Sequence, residues 1–308
     1  MMLRGLLALA LSCSLVALVS TGAGAQTGAK RTFAAPEEAV KALLDIVKKG
    51  DLDALLALFG TDGKEIIASS DPAVARQNRQ VFAVAAREQW RLEDAAPDRK
   101  TLIVGYEEWP FPVPLVKSAQ GWQFDAAAGK EEVLARRIGR NELSAIATSR
   151  AYVGAQQRYA EQGHDGKPAG VYATKFRSDP GKQDGLYWPA GRGQKRSPLG
   201  DLVAQAATEG RSAGGGNTPS AFNGYHFKIL TSQGKAAPGG AKNYIVKGDM
   251  SGGFALLAWP AQYDATGVMT FVVNQDGRVH QKDLGPDSDA VARKITSYNP
   301  DASWQEVK

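Results

Sequence analysis

The sequence of 308 residues predicts an α+β protein in which helices and antiparallel strands form two successive domains. In the first domain, amphipathic helical patterns bounded by proline, acidic residues and glycine are followed by short strand patterns. Near the C-terminus, the alternating residues 268–273 are followed by the turn residues 274–277 and a second strand pattern over 278–282. This arrangement is typical of a β-hairpin.

The first domain is predicted over residues 36–128 and is a small α+β unit. Three helical patterns precede three strand patterns, at 36–49, 51–59 and 72–90 and then at 101–105, 113–117 and 121–125. The last two strands form a hairpin. Helices followed by a hairpin resemble the cone-shaped nuclear transport factor two-like fold in the order of their elements.

The second domain is predicted over residues 129–308. Its longest helical pattern, 131–159, is of the right length to cover a four-stranded antiparallel sheet. The strands of that sheet are 225–231, 253–260, 268–273 and 278–282. Between helix and sheet, residues 163–223 are rich in glycine, proline and charge, which predicts a partly irregular excursion over the surface, with one short helix at 198–209.

The N-terminus has the pattern of a secretory signal peptide over residues 1–25. Arg4 precedes the apolar stretch 5–19, and small residues lead to a cleavage site after Ala25. Residues 26–35 then form a flexible lead-in. The predicted location is the periplasm or the exterior of the cell, with no membrane span once the signal is removed.

Charge and cysteine content narrow the classes of function. Removal of residues 1–25 leaves 36 basic and 32 acidic residues, a net charge of +4, and these charges are interspersed except at 192–196. A nucleic-acid partner is therefore not expected. The only cysteine, Cys13, lies inside the signal, so the mature chain has no disulfide. A lipoprotein with Cys13 lipidated is the alternative.

The mature chain resembles the bacterial family called domain of unknown function 2950 in several segments. They are Trp109–Lys117, Arg136–Leu143, Ser178–Pro189, Gly224–Thr231, Ala237–Ala241, Gly252–Pro260, Gly267–Asn274 and Gln281–Pro286. The resemblance implies a fold shared with that family and a secreted, Gram-negative setting. It implies no catalytic residue.

The second domain also resembles the globular part of type IV pilins and type II secretion pseudopilins. The resemblance is carried by the segments 141–148, 155–159, 224–227, 254–260 and 266–277. Pilins begin with an apolar membrane helix that also packs the filament. Here that position holds Glu131, Glu132, Arg136, Arg137 and Arg140, which cannot span lipid. The resemblance therefore implies a pilin-like fold without that route of filament assembly.

Aromatic residues beside prolines are the candidate binding surface, because large rigid rings offer apolar area at low entropic cost. Neighbouring polar side chains would orient a ligand. The candidate residues are Trp109, Phe111, Asp184, Tyr187, Trp188, His226, Trp259 and Lys282. The alternative interpretation is that the rings pack the domain cores or the interface between the domains.

No catalytic, cofactor or metal motif stands out. The three histidines are isolated in sequence, and neither a nucleophile elbow nor a phosphate-binding loop is present. A calcium site at Asp179, Asp184 and Asp201 lacks the regular spacing of a calcium loop. No cofactor and no metal are therefore predicted.

These observations favour a non-catalytic binding or assembly component of the bacterial envelope, with an envelope protein or glycan as its partner. One alternative is an envelope-polymer hydrolase that uses Glu108, Asp184, His226 or Asp283 as acid and base. Another is a structural subunit whose aromatic faces are buried in a homo-oligomer. The hydrolase requires two of its candidate groups to meet in one pocket.

Overall fold

A computed structural model describes residues 31–60, 62–67, 72–190, 196–199 and 221–308. The predicted signal peptide, most of the lead-in and the predicted helix at 198–209 beyond Leu199 lie outside these residues. The chain divides into two compact units, Met1–Ala126 (unit 1) and Ala127–Lys308 (unit 2). The predicted α+β class is confirmed, since each unit combines helices with antiparallel sheet.

Unit 1 begins with helices whose ends follow from their sequence. The first helix has Pro36 at its start and Gly50 just beyond its end, with a φ of 69° that glycine tolerates. The Asp51 carboxylate caps the next helix by accepting from the Ala54 N–H at 2.9 Å. The described helices are α1 Pro36–Lys49, α2 Leu52–Phe59, α3 Gly63–Ile67 and α4 Pro72–Glu88.

The sheet of unit 1 contains more strands than predicted. It has the order β1-β2-β4-β5, with β3 paired to β2. The strands are β1 Trp90–Ala96, β2 Arg99–Val104, β3 Trp109–Pro110, β4 Leu115–Ser118 and β5 Gly121–Phe124. The prediction that Trp90 ends a helix was wrong. Trp90 instead pairs with Val104 in a β1–β2 hairpin, because the chain turns at Pro97–Asp98.

Unit 2 is built from one long helix and one main sheet. The helix α5 spans Ala126–Ala160, longer at its start than predicted. The sheet has the order β14-β13-β12-β11-β6. Its strands are β6 Tyr225–Leu230, β11 Ala255–Pro260, β12 Met269–Asn274, β13 Val279–Asp283 and β14 Gln305–Glu306. The four predicted strands are all present, and the C-terminal residues add a fifth, β14, beside β13.

Short elements complete unit 2. Two small hairpins, β7–β8 and β9–β10, follow β6. Helix α6 follows β13. These elements are β7 Ser232–Gln233, β8 Lys242–Asn243, β9 Ile245–Val246, β10 Asp249–Met250 and α6 Ser288–Lys294.

Strand β11 lies at the centre of the unit 2 core, since all six of its residues are buried. The Phe254 ring, just before the strand, lies 5.7 Å from Tyr152 of α5. The Trp259 indole N–H donates to Asp289 of α6 at 2.8 Å. Because the two residues are an odd number of positions apart, they point to opposite faces of the sheet. Helices α5 and α6 therefore cover opposite faces of β11.

Part of the segment between α5 and β6 is packed into the core, which corrects the prediction of a surface excursion. Ala173 and Leu186 are buried, and Trp188 is 5% exposed. The buried Gln156 of α5 holds this segment in place: its amide N–H donates to the Ala173 carbonyl at 2.7 Å, and its oxygen accepts from the Ala173 N–H at 2.9 Å. These paired bonds satisfy both backbone polar groups of Ala173 and tie the segment to α5.

Candidate functional site

A cleft of about 320 Å³ opens on unit 2 beyond the C-terminal end of α5. The last turn of α5, the turn after it and two loop segments form its walls. We call it the Trp188 cleft. Its lining includes Arg158, Glu161, His164, Trp188, Arg196 and Ser197. Its volume is at the lower end of the range for small-molecule sites.

Two aromatic rings, His164 and Trp188, line one side of the cleft, and the buried Tyr159 supports them. His164 stacks on Tyr159 with ring centroids 4.2 Å apart and planes at 20°, and Trp188 lies 5.5 Å beyond it. Tyr159 is anchored through its hydroxyl, which donates to the Gln183 carbonyl at 2.9 Å. Burial raises the pKa of Tyr159 to about 12. The Tyr159 phenol that supports the wall is therefore neutral at physiological pH.

The His164 ring is oriented by both of its nitrogens. Nε2 lies 3.1 Å from the Tyr159 carbonyl oxygen, and Nδ1 lies 3.4 Å from the Gln183 side-chain oxygen. Both partner atoms are oxygens that accept hydrogen bonds, so either ring nitrogen donates to its partner when it carries the proton. Gln183 is itself held by its backbone N–H, which donates to Asp165 at 2.6 Å. His164 thus presents a ring to the cleft rather than an unengaged base.

Two guanidinium groups make the cleft basic. Arg158 projects from α5 and donates from Nη2 to the Pro198 carbonyl at 2.7 Å, which fixes its position. Arg196 is exposed, and its segment is tied down where the Leu199 N–H donates to the Leu186 carbonyl at 3.1 Å. Guanidinium groups pair in a bidentate way with carboxylates and phosphates. The arrangement can therefore bind an anionic group beside an aromatic wall.

Asp184 and Tyr187, two of the predicted site residues, stabilise the loop next to this cleft. The Asp184 carboxylate accepts from Lys175 Nζ at 2.7 Å and from the Asp179 N–H at 2.9 Å. These bonds, the Lys175 bond above all, lower the pKa of Asp184 to about 2. Tyr187 lies under the Arg177 guanidinium, 5.7 Å from its ring centroid.

The same contacts bear on the calcium hypothesis. Lys175 Nζ also donates to Asp179 at 2.8 Å, so one ammonium group serves both carboxylates. A calcium ion would need to displace that ammonium. Asp201, the third proposed ligand, lies outside the described residues. Among the residues that are described, no group of three or more acidic, histidine or cysteine side chains is arranged to hold a metal ion.

Trp109 and Phe111 lie together in unit 1, with ring centroids 6.2 Å apart. Both rings contact Phe82 of α4, at 6.4 Å and 5.1 Å. Phe111 also stacks on Phe59 and edges against Phe124, so it belongs to the core of unit 1. Trp109 remains 42% exposed at the edge of this cluster.

His226 and Trp259 are neighbours on paired strands of unit 2, 5.4 Å apart. Asp289 accepts from the Trp259 N–H at 2.8 Å and from Arg293 Nε at 2.9 Å. The Arg293 bond, followed by the Trp259 bond, lowers the pKa of Asp289. Lys228 Nζ donates to the Arg293 carbonyl at 3.0 Å. These bonds attach α6 to the sheet, which is a structural role.

The remaining candidate groups lie in separate places. Lys282 on β13 donates to the Ser303 hydroxyl at 2.8 Å. Asp283, on the same strand, accepts from Tyr263 at 3.2 Å, whereas Glu108 in unit 1 accepts from Arg91 at 3.0 Å. Two strands separate β13 from β6, which corresponds to about 14 Å at the usual strand spacing. Asp283 is therefore not adjacent to His226.

Sequence reasoning missed Arg158, Arg196, Glu161 and His164 as lining residues. In the sequence, Arg158 is one of several charged residues along a long helical pattern. Arg196 ends a basic run of the kind that is usually a solvated surface. Only the return of the chain past Trp188 brings these residues together. The run 192–196 was the one available signal, since its charge is not balanced by neighbouring acids.

The fold and site define an α+β protein of two compact units, with a basic, aromatic-walled cleft in the second. Residues 30–307 match the family described as "Protein of unknown function (DUF2950)", and the chain belongs to that family. The predicted family membership is thus confirmed. No curated protein and no solved structure matches the chain. The likenesses to pilins and to the nuclear transport factor two-like fold stay predictions.

Within the described ranges, no helix combines the length and apolar character needed to cross a membrane.

Proposed function

We propose that the protein is a non-catalytic binding component of the bacterial envelope, exported by its N-terminal signal, and that unit 2 holds the ligand in the Trp188 cleft. The observation that carries the proposal is the cleft itself. It joins two arginines to a rigid aromatic wall in a volume of about 320 Å³. The signal-like N-terminus supports the location.

The orientation of the cleft side chains favours binding over catalysis. A general base needs a nitrogen or carboxylate directed at the substrate. Both nitrogens of His164 instead face protein oxygens. Asp184 is the residue of the hydrolase alternative that lies nearest in sequence to Trp188. Its carboxylate is kept ionised by the bond from Lys175. Among the described lining residues the only carboxylate is Glu161, and the only histidine, His164, is engaged through both ring nitrogens, so the lining favours recognition over acid–base catalysis.

A thermal-shift screen of the chain from Gln26 onward tests the proposal. We expect one class among metals, glycans, peptidoglycan fragments and lipids to raise the melting temperature, because a ligand that binds only the folded state stabilises it by mass action. Arg196→Ala should remove the shift. Arg150→Ala is the matched control, since Arg150 is an exposed arginine of α5 outside the cleft lining.

Two outcomes would contradict the proposal. The first is that no class of compound shifts the melting temperature of a well-folded sample. The second is that a shift survives Arg196→Ala unchanged, which would place the ligand elsewhere. Trp188→Ala is less informative because Trp188 is part of the core and its loss is expected to destabilise unit 2.

An apolar surface on unit 1 favours the homo-oligomer as a second candidate. Val81 and Val84 of α4 are 62% and 56% exposed. Tyr106, 72% exposed, lies beside the end of α4, where its backbone N–H donates to Glu88 at 3.3 Å. Trp109 contacts the same helix through Phe82. Large exposed side chains grouped in this way are typical of interaction surfaces.

Light scattering after size-exclusion chromatography measures the molecular mass and so tests whether the protein forms a homo-oligomer. If two copies associate through α4, the mass should correspond to a dimer at high concentration, and Val84→Glu should return it to that of a monomer. Lys41→Glu, an exposed substitution on α1, is the control for added charge. A monomer at every concentration would remove the oligomer from consideration.

A further inference from the structure

We propose that the Trp188 cleft selects a sugar acid, that is, a single polyhydroxylated ring carrying one carboxylate. The inference rests on the proposed binding function and specifies its ligand. It follows from the charges that line the cleft, the acceptor groups at its rim and its size.

The charges indicate a monoanion. Arg158 and Arg196 supply two positive charges, and Glu161 supplies one negative charge. These charges sum to +1. A planar carboxylate can pair with the N–H groups of a guanidinium, and its single negative charge neutralises that sum. A phosphate monoester carries a charge close to −2 and three acceptor oxygens. A bound phosphate would leave the described charges of the cleft with a negative excess, and Glu161 would repel it more strongly than a carboxylate.

Arg158 is preorganised for this task. Its Nη2 bond to the Pro198 carbonyl uses one of five N–H donors and fixes the plane of the group. Less side-chain entropy is then lost when an anion binds. Arg196 is exposed and lines the same cleft, two residues before the Pro198 carbonyl that holds Arg158.

The acceptor groups indicate hydroxyls on the ligand. The Glu161 carboxylate is an acceptor of hydrogen bonds when ionised, and the Ser197 hydroxyl can both donate and accept. Sugar hydroxyls can donate to the Glu161 carboxylate and pair with the Ser197 hydroxyl, whereas an aliphatic or aromatic acid leaves the exposed Glu161 to solvent and gains no such bond. The half-buried His164 ring, with the small exposed part of Trp188 beside it, provides the aromatic surface against which the C–H face of a sugar ring can pack.

The volume limits the size of the bound part. About 320 Å³ lies at the lower end of small-molecule sites and accommodates one substituted ring. A longer glycan would therefore be recognised through a single acidic residue. The rest of such a chain would extend into solvent.

Calorimetric titration of the chain from Gln26 onward with D-glucuronate, D-glucose and D-glucose 6-phosphate tests the inference. We expect glucuronate to bind at least roughly tenfold more tightly than either of the others, because a charge-assisted pair is worth about 1.4 kcal/mol or more. Arg196→Ala should weaken glucuronate roughly tenfold, and Arg150→Ala should leave its affinity unchanged.

Glu161→Gln gives an independent readout. Removing this negative charge should strengthen binding of glucose 6-phosphate and weaken the preference for glucuronate over it. Glu161 is exposed, so the variant should fold normally. Equal affinity for glucose and glucuronate, or an unchanged phosphate affinity in Glu161→Gln, would overturn the inference.

The test separates two kinds of failure. If glucuronate does not bind at millimolar concentration but another compound gives a thermal shift that Arg196→Ala abolishes, the sugar-acid inference is wrong and the binding function stands. If no compound responds to Arg196→Ala, both are wrong.

Discussion

Gly267→Ala is expected to destabilise unit 2 by about 3 kcal/mol or more, because overpacking a rigid core site forces side chains and backbone to move. A Cβ at Gly267 would collide with the Tyr225 hydroxyl and lie 2.6 and 2.7 Å from two of its ring carbons. Tyr225 cannot yield, since it is fully buried and donates to the Met269 carbonyl at 2.9 Å. Denaturant unfolding monitored by circular dichroism measures the loss.

Gly139→Ala is the matched control. Gly139 lies within α5, and a Cβ there would meet no atom within 4 Å. Alanine should therefore stabilise the helix by up to about 1 kcal/mol. The double variant Gly267→Ala/Tyr225→Phe should cost less than the sum of its single changes, because the hydroxyl in the collision is gone. Tyr225→Phe leaves the two ring carbons in place, so part of the cost should remain, and fully additive costs would show that the hydroxyl is not the atom in collision.

Alkaline pH is expected to unfold unit 2 cooperatively above about pH 10, the ordinary pKa of tyrosine. Burial raises the pKa of five tyrosines in this unit above that value, and for Tyr159 and Tyr298 to about 12. The others are Tyr152, Tyr225 and Tyr244. Because the folded state keeps these phenols neutral, their stabilisation is complete below pH 10 and is lost as the pH rises through the folded pKa.

The expected magnitude is large. At one pH unit above the unfolded pKa, each such tyrosine lowers the free energy of unfolding by about 1.4 kcal/mol. Five together give about 7 kcal/mol, comparable with the whole stability of an ordinary domain. Unit 1 holds one of the nine tyrosines, the exposed Tyr106. Alkaline pH should therefore lower the free energy of unfolding of unit 2 and not that of unit 1.

A single pH titration that records tyrosinate absorbance and circular dichroism measures this effect. The absorbance of the buried tyrosines should rise together with the loss of structure. Tyr298→Phe removes one of the five phenols and should move the midpoint to higher pH. Ionisation of all the tyrosines before any change in circular dichroism would show that the rings are accessible in the folded state.

Elements with strong local signals were predicted well. The helix at 36–49 has its predicted bounds, because proline, acids, lysines and Gly50 act within one or two turns of the helix ends. The hairpin at β12 and β13 was also predicted, since alternation and turn residues specify it locally. Family membership followed from contiguous segments of sequence.

Elements that depend on distant partners were missed. Strand β1 carries the charged residues Arg91, Glu93 and Asp94 and is largely exposed. Its sequence therefore gave only a weak strand signal. This segment forms a strand because it pairs with β2. Strand β14 has only two residues and exists because β13 offers its edge. Such pairings give no periodic signal of their own.

For the candidate site, the sequence alone determined which residue types were available: aromatic rings beside prolines, isolated histidines and a mild excess of basic charge. It also determined the α+β class, because caps, turns and alternation are local properties of the chain. The tertiary structure decided which rings are core and which border a cleft. Arg158 and Pro198 meet across 40 positions of sequence. Their proximity depends on the packing of the intervening segment against α5 and β11, which the local pattern does not encode.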